Sequence, residues 1–164
     1  MLRRFQGQSS GQGTRFQSIA QRECYERIGA WLRIMYGQEA VFDIETAAGF
    51  GVLVGSAMTT VSAVAAQQND VAILIASRVI STPQLNQDLL VQLLMENFNE
   101  MPFASFGLDG NGDIWLMRII MGNCSTDDFV MSVTAVASRA DEYDDVIASQ
   151  WGGNRAIDNL DEGL

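Results

Sequence analysis

The clearest structural pattern of the chain lies in residues 97–121, NFNEMPFASFGLDGNGDIWLMRIIM. Residues 103–108 predict a short strand, and residues 114–121 predict a longer one. Residues 109–113, DGNGD, predict a tight turn, because Asn and Gly tolerate the positive φ that hairpin turns require. Both faces of the second strand are largely apolar, so each needs cover from the chain's own helices or from a partner.

The rest of the chain predicts an α+β domain around this hairpin. Apolar residues at helical spacing predict helices over 18–35, 84–97 and 125–151. Three strands are expected within 41–80, and the strongest covers 71–80; residues 50–54 either continue the first strand or form a separate one. The predicted order is αβββαββα, with a single antiparallel sheet.

Composition divides the 164 residues into one domain and two tails. Residues 1–17 are rich in Gly, Gln, Ser and Arg and contain no acid, which predicts a disordered N-terminal tail or, alternatively, a targeting segment. The domain is expected over 18–153, and residues 154–164 are expected to form a flexible acidic tail. No apolar run reaches the length of a membrane span, so we expect no membrane insertion.

The charge of the chain is strongly negative and unevenly placed. The formal net charge is −10, and all ten basic residues are Arg. Six of them lie in residues 1–33, so the remainder holds four Arg against eighteen acids. This distribution argues against a nucleic-acid partner and favours a basic or neutral one.

Few residues suit catalysis or metal binding. His and Lys are absent, which removes the commonest acid–base group and Schiff-base chemistry. Cys24 and Cys124 have no zinc-site spacing, and we expect reduced thiols, with one disulfide as the alternative. An enzyme therefore remains only a secondary hypothesis, and no cofactor is expected.

Two acidic patterns have alternative interpretations. Asp109, Asn111 and Asp113 alternate like the first ligands of a calcium loop, but Ile114 and Ile120 stand where such loops need Gly and Glu. The pattern favours a plain hairpin turn. The acidic run within 141–145 could bind a metal or a basic partner, but a solvated helix face is the simpler interpretation.

Exposed apolar positions near the start of the sheet predict a surface for a partner. Phe42 and Ile44 alternate on one face of a short strand that no later helix is obliged to cover. With neighbouring apolar positions they give the predicted partner-binding set: Trp31, Phe42, Ile44, Phe50 and Val52. The alternative for Phe42 is a place in the core.

A homodimer is expected because two strands that are apolar on both faces leave more apolar area than three helices cover. The predicted interface combines the second helix with the last strand: Leu89, Leu93, Trp115, Met117, Arg118 and Ile119. Arg78 and Arg118 each lie inside an apolar strand, where an arginine either pairs with a local acid or contacts a partner.

The element order, VAILIASRVIST, the Leu-rich helix and FASFGLDGNGDIWLMRII together resemble the type III secretion chaperone fold. That group includes the CesT-like chaperones and the YbjN family, and the ending ADEYDDVIASQWGG is more similar to YbjN-type proteins. The resemblance covers residues 18–153. The Arg-rich start fits neither pattern.

This resemblance implies a non-enzymatic, cytoplasmic binding protein. Chaperones of the group are homodimers that hold an extended segment of an effector on their sheet surfaces, partly by strand addition. YbjN-type proteins share the fold and are linked to regulation, with poorly defined ligands. The implied partner is a protein, either a secreted effector or a regulatory target.

Overall fold

The computed structural model describes residues 16–44, 47–66, 70–99 and 103–159. Most of the predicted N-terminal tail, residues 1–15, and five of the eleven residues of the predicted C-terminal tail, 160–164, lie outside this range. The helices are α1 (Ile19–Tyr36), α2 (Gln87–Asn99) and α3 (Thr126–Trp151). The strands are β1 (Val41–Ile44), β2 (Gly49–Val54), β3 (Ala57–Ala65), β4 (Val71–Ile80), β5 (Ser105–Leu108) and β6 (Ile114–Met121).

The six strands form a single antiparallel sheet in the order β1-β2-β3-β4-β6-β5. The predicted α+β class with one antiparallel sheet is therefore confirmed. Four strands precede α2, one more than the predicted order contains. The chain reverses after Ile44, where the Ala47 N–H donates to the Ile44 carbonyl, and β2 then pairs antiparallel with β1.

All three described helices lie on one side of the sheet, here called the helix side. Gly29 of α1 lies against the Phe50 ring, and Tyr143 of α3 meets Phe106 edge-on at 5.1 Å between centroids. Glu96 of α2 accepts a hydrogen bond from the Tyr143 hydroxyl. The helix-side residues of the central strands are fully buried and form the hydrophobic core with α1 and α3: Val61, Ile73, Ile75, Val79 and Leu116.

Polar side chains set the ends of the helices. The Ser18 hydroxyl accepts the Gln21 N–H at 3.1 Å, and the Ser125 hydroxyl accepts the Asp128 N–H at 3.1 Å. The second helix begins at Gln87, three residues after the predicted start at residue 84. Asn86 caps it, because its side-chain oxygen accepts the Leu89 N–H at 2.9 Å.

The chain beyond α3 returns to the sheet. Asn154 forms a bridge with Ser81 through two backbone hydrogen bonds of 2.9 Å. Arg155 makes ion pairs with Asp145 at 2.6 Å and Asp158 at 2.9 Å. The packed structure therefore extends past the predicted domain boundary at residue 153.

Candidate protein-binding surface

The side of the sheet opposite the helices, here called the open face, carries many apolar side chains. The register assigns them, since paired residues lie on the same face: Phe42, Ile44, Leu53, Met58, Val64, Leu74, Trp115, Met117, Ile119 and Met121. Ile119 is 71 % exposed, and no helix of the described residues lies over it. Large exposed apolar patches mark interaction sites.

Two residues of the predicted partner-binding set lie on the open face. Phe42 pairs with Gly51 and Ile44 pairs with Gly49, so both side chains point away from the helices. Phe42 is 47 % exposed, and its ring lies directly over Gly51, where a Cβ atom would clash with it. Glycine at 51 thus lets the aromatic ring lie flat on β2.

The expectation that Phe50 and Val52 are exposed is wrong. Phe50 is 2 % exposed and stacks on Tyr25 with ring centroids 4.4 Å apart, and Val52 is fully buried beside it. The reason is the register: Phe50 pairs with Asp43 rather than with Phe42, so it points to the helix side.

Trp31 also lies apart from the open face. It is half-buried on α1, its ring lies 4.8 Å from that of Phe129, and the Arg27 guanidinium lies 5.3 Å from it. The structure therefore places the five predicted residues on two sides of the sheet and not in one groove.

The residues of the predicted dimer interface are likewise divided. Met117 and Ile119 are exposed on the open face, and Trp115 is half-buried beside them. Leu89 and Leu93 are buried in the chain's own core, so they cannot contact a second copy in this structure.

Both strand arginines make contacts within the chain. Arg118 points to the helix side, where it donates to the Phe103 carbonyl at 2.9 Å and lies 5.1 Å from that ring. Arg78 lies on the open face, 3.8 Å from the Asp113 carboxylate. Local contacts therefore account for both side chains.

A second apolar surface lies on α2. Only Leu89 and Leu93 of this helix are buried, so its other apolar residues face outward: Leu90, Val91, Leu94, Met95 and Phe98. Phe98 is 90 % exposed. An apolar cavity of about 230 Å³ lies between this helix and β5.

The outer edge of the sheet at β5 is blocked. The Asn97 side chain accepts the Phe106 N–H at 2.6 Å and donates to the Phe106 carbonyl at 3.2 Å. One amide side chain thus occupies both backbone groups that Phe106 would offer to an added strand. β1, at the opposite edge, pairs with β2 on one side.

The DGNGD turn is a hairpin turn organised by Asp109. Its Oδ1 accepts the N–H groups of Asn111 and Asp113, and its Oδ2 accepts the indole N–H of Trp115 at 3.1 Å. Desolvation opposes ionisation of this carboxyl, but these donors outweigh it and lower its pKa. Among the described residues, no group of acids and cysteines is arranged to hold a metal ion.

The cysteines lie near the opposite end of the core. Cys24 is buried, Cys124 is half-buried, and both are free thiols. Burial raises the pKa of both groups, although the Arg27 charge opposes it, so neither has the character of a reactive thiolate.

None of the helices in the described ranges combines the length and hydropathy that a bilayer crossing needs.

The fold of this chain is similar to that of solved structures, although its sequence matches none of the known families. No family model and no curated protein sequence matches the chain. Among solved structures, a chain of the ExsC–ExsE complex superposes with a TM-score of 0.57 at 16 % identity, over 75 % of this chain and 95 % of that one.

Two further complexes give the same result. A chain of the HopA1–SchA chaperone–effector complex gives a TM-score of 0.55 at 16 % identity, over 76 % of this chain and 95 % of that one. A chain of the ExoU–SpcU complex of the Pseudomonas aeruginosa type III secretion system gives a TM-score of 0.51 at 14 % identity, over 75 % of this chain and 99 % of that one. The chain has a type III secretion chaperone-like fold.

Proposed function

We propose that this protein is a non-enzymatic, secretion-chaperone-like binding protein that holds an extended segment of a partner protein as a homodimer. The observation that carries the proposal is the open face. A six-stranded sheet with helices on one side leaves apolar side chains of β1, β2, β3 and β6 exposed on the other. Such a surface suits a partner that lays apolar side chains across the strands.

The solved complexes with this fold support a protein as the ligand. One of them is described as a chaperone–effector complex, and another comes from a type III secretion system. By analogy we propose a secreted or regulatory protein as the partner and the cytoplasm as the place of binding. The net charge of −10 favours a partner segment that is neutral or basic.

We propose that two copies of the chain associate through the outer surface of α2. Leu94 and Phe98 lie one helical turn apart on it and are exposed. They replace the buried Leu89 and Leu93 in the predicted interface. Met117 and Ile119 remain available to the partner segment.

The test compares two isoleucines with similar exposure. Ile119 is 71 % exposed on the open face, and Ile34 is 82 % exposed on α1. We expect Ile119→Gln to reduce capture of a partner from cells of the source organism at least tenfold, and Ile34→Gln to leave it unchanged. The captured protein is then purified and its affinity measured for each variant.

The same pair can contradict the proposal. Equal losses in both variants would show that the open face is not the binding surface. Circular dichroism shows whether the wild type and both variants are equally folded. If the folded wild-type chain captures no protein, that result would argue against a chaperone-like role.

A further inference from the structure

The β2–β3 turn is attached to α3 by three polar side chains. The Ser56 N–H donates to Oδ1 of Asp141 at 2.6 Å. The Ser56 hydroxyl lies 2.8 Å from the same oxygen and 2.6 Å from Oδ2 of Asp144. Gly55 has a φ of +59° and lies directly against the Asp141 carboxylate, where a Cβ atom would clash. The turn and the helix are therefore in direct contact.

The hydrogen count of this cluster points to a protonated carboxyl group. A serine hydroxyl carries one hydrogen, so it can donate to only one of the two carboxylate oxygens beside it. The second short contact needs a hydrogen from the acid itself. Otherwise an ionised oxygen would lie against a lone pair of Ser56.

Asp144 is the group that holds this proton. It is 1 % exposed, and its Oδ1 is buried without a hydrogen-bond partner among the described residues. Asp141 is only half-buried, and its Oδ1 already accepts the Ser56 N–H. The Asp144 carboxyl therefore donates to Ser56, and Ser56 donates to Asp141.

The charges around Asp144 favour the same assignment. Burial is the largest cause and raises the pKa of Asp144, and the charges of Asp145 and Asp141 add to it. The Asp145 N–H opposes this, as would a Ser56 hydroxyl that donated to Asp144 instead of to Asp141. Asp145 itself is paired with Arg155 of the C-terminal segment at 2.6 Å.

Within the described ranges, the other elements packed against α3 bring no compensating cation to this point. β2, β3 and β4 place only uncharged side chains on the helix side. Arg33 of α1 lies over the Phe50 ring, and Arg118 of β6 lies over the Phe103 ring. The negative charge of an ionised Asp144 would remain unpaired.

We propose that Ser56, Asp141 and Asp144 form a proton-dependent clasp, which fixes the β2–β3 hairpin to α3 while Asp144 is protonated and loosens when that proton leaves to solvent. The hairpin carries Leu53 and Met58, two side chains of the open face. The clasp therefore fixes one end of that face.

The direction of the pH effect follows from linkage. Asp144 binds its proton more tightly in the folded chain than in the unfolded one. Its favourable contribution to stability is complete below the pKa of an unfolded Asp, about 3.9. The contribution is lost as the pH rises through the raised value and stays lost above it.

The test uses Asp144→Asn in the full chain, because the amide keeps the shape and can still donate to Ser56. Hydrogen exchange at the amides of 56–58, corrected for intrinsic rates, is measured from acid to neutral pH. We expect protection to fall at least fivefold with rising pH in the wild type and to stay constant in Asp144→Asn. Glu142→Gln, which changes an exposed acid of the same helix, should retain the wild-type pH dependence.

Ser56→Ala provides a second variant if Asp144→Asn does not fold. It keeps both acids but removes the shared hydroxyl, so protection at acid pH should fall to the wild-type level at neutral pH. The proposal is overturned if the carboxyl carbon of Asp144 titrates at or below the ordinary Asp value by NMR. It is also overturned if Ser56→Ala protects the hairpin like the wild type at every pH.

Discussion

The two faces of the sheet consist of the same strands but differ in what covers them. Along β3, Val61 and Ala63 are buried under helices, whereas Met58 and Val64 on the other face are partly exposed. All the described helices lie on one side, so the other side has apolar character without cover. An apolar sequence pattern therefore identifies a strand that is apolar on both faces. Only the positions of the helices show which face belongs to the core and which is left for an interface.

Two phenylalanines allow a direct comparison of these faces. Phe50 and Phe42 lie on adjacent strands, and each ring packs beside a glycine, Gly29 or Gly51. One ring points into the core and the other to the open face. Truncating each of them measures what its face contributes.

The largest effect is expected for Phe50→Ala. This ring is fully buried against Tyr25 and α1, so its removal leaves a cavity and should cost about 3–5 kcal/mol of unfolding free energy. Urea denaturation measures the loss. A change below about 1 kcal/mol would mean that the helix side is not the core.

Leu94→Glu should have the next largest effect, on self-association rather than on folding. The side chain is exposed on the outer surface of α2, so a charge there should raise the dimer dissociation constant at least thirtyfold, about 2 kcal/mol. Light scattering of wild type and variant at micromolar concentration measures it. The exposed Val146 of α3 supplies the control, because Val146→Glu should leave the dimer intact.

A monomer mass for the wild type at all micromolar concentrations would contradict the dimer itself. In that case the outer surface of α2 would have to serve another role.

Phe42→Ala should separate binding from stability. The ring is half-exposed over Gly51, so its loss should cost about 1 kcal/mol of stability but weaken partner binding at least tenfold, about 1.4 kcal/mol. Calorimetric titration with the purified partner and thermal unfolding provide the two measurements. Loss of several kcal/mol of stability with normal binding per folded molecule would assign Phe42 to the core.

The smallest effect is expected for deletion of residues 1–15. Their composition, rich in Gly, Gln and Ser, predicts no contribution to either face, so the melting temperature should change by less than about 2 °C. The cut falls before Phe16, whose ring lies 5.2 Å from Tyr25. A larger decrease would show that this segment packs on the sheet.

The sequence was sufficient to predict the hairpin of β5 and β6, the fold class and the chaperone-like resemblance. These rest on short-range patterns, such as the DGNGD turn and the alternation along 114–121. The orientation of β2 was not predictable in this way. A shift of one residue in a turn exchanges the two faces of a strand, and the turn between Ile44 and Gly49 contains no motif that fixes the count.

Two predictions about helix faces were wrong for different reasons: the interface on the second helix and the solvated acidic run within 141–145. The apolar stripe of α2 is so wide that its pattern does not tell the buried Leu89 from the exposed Leu90. The position of Asp144 could have been found, because it follows the buried Ala140 by four residues and precedes Ile147 by three. An acid at that spacing lies on the buried stripe and needs a partner.

The side chain of Asn97 has a consequence for assembly. A sheet whose two edges both accept strands can add copies of itself indefinitely, which is the geometry of fibres. Because one amide already occupies the Phe106 backbone groups at β5, such growth is hindered at that edge. Asn97 thus acts as a chain terminator on a sheet whose open face exposes much apolar surface.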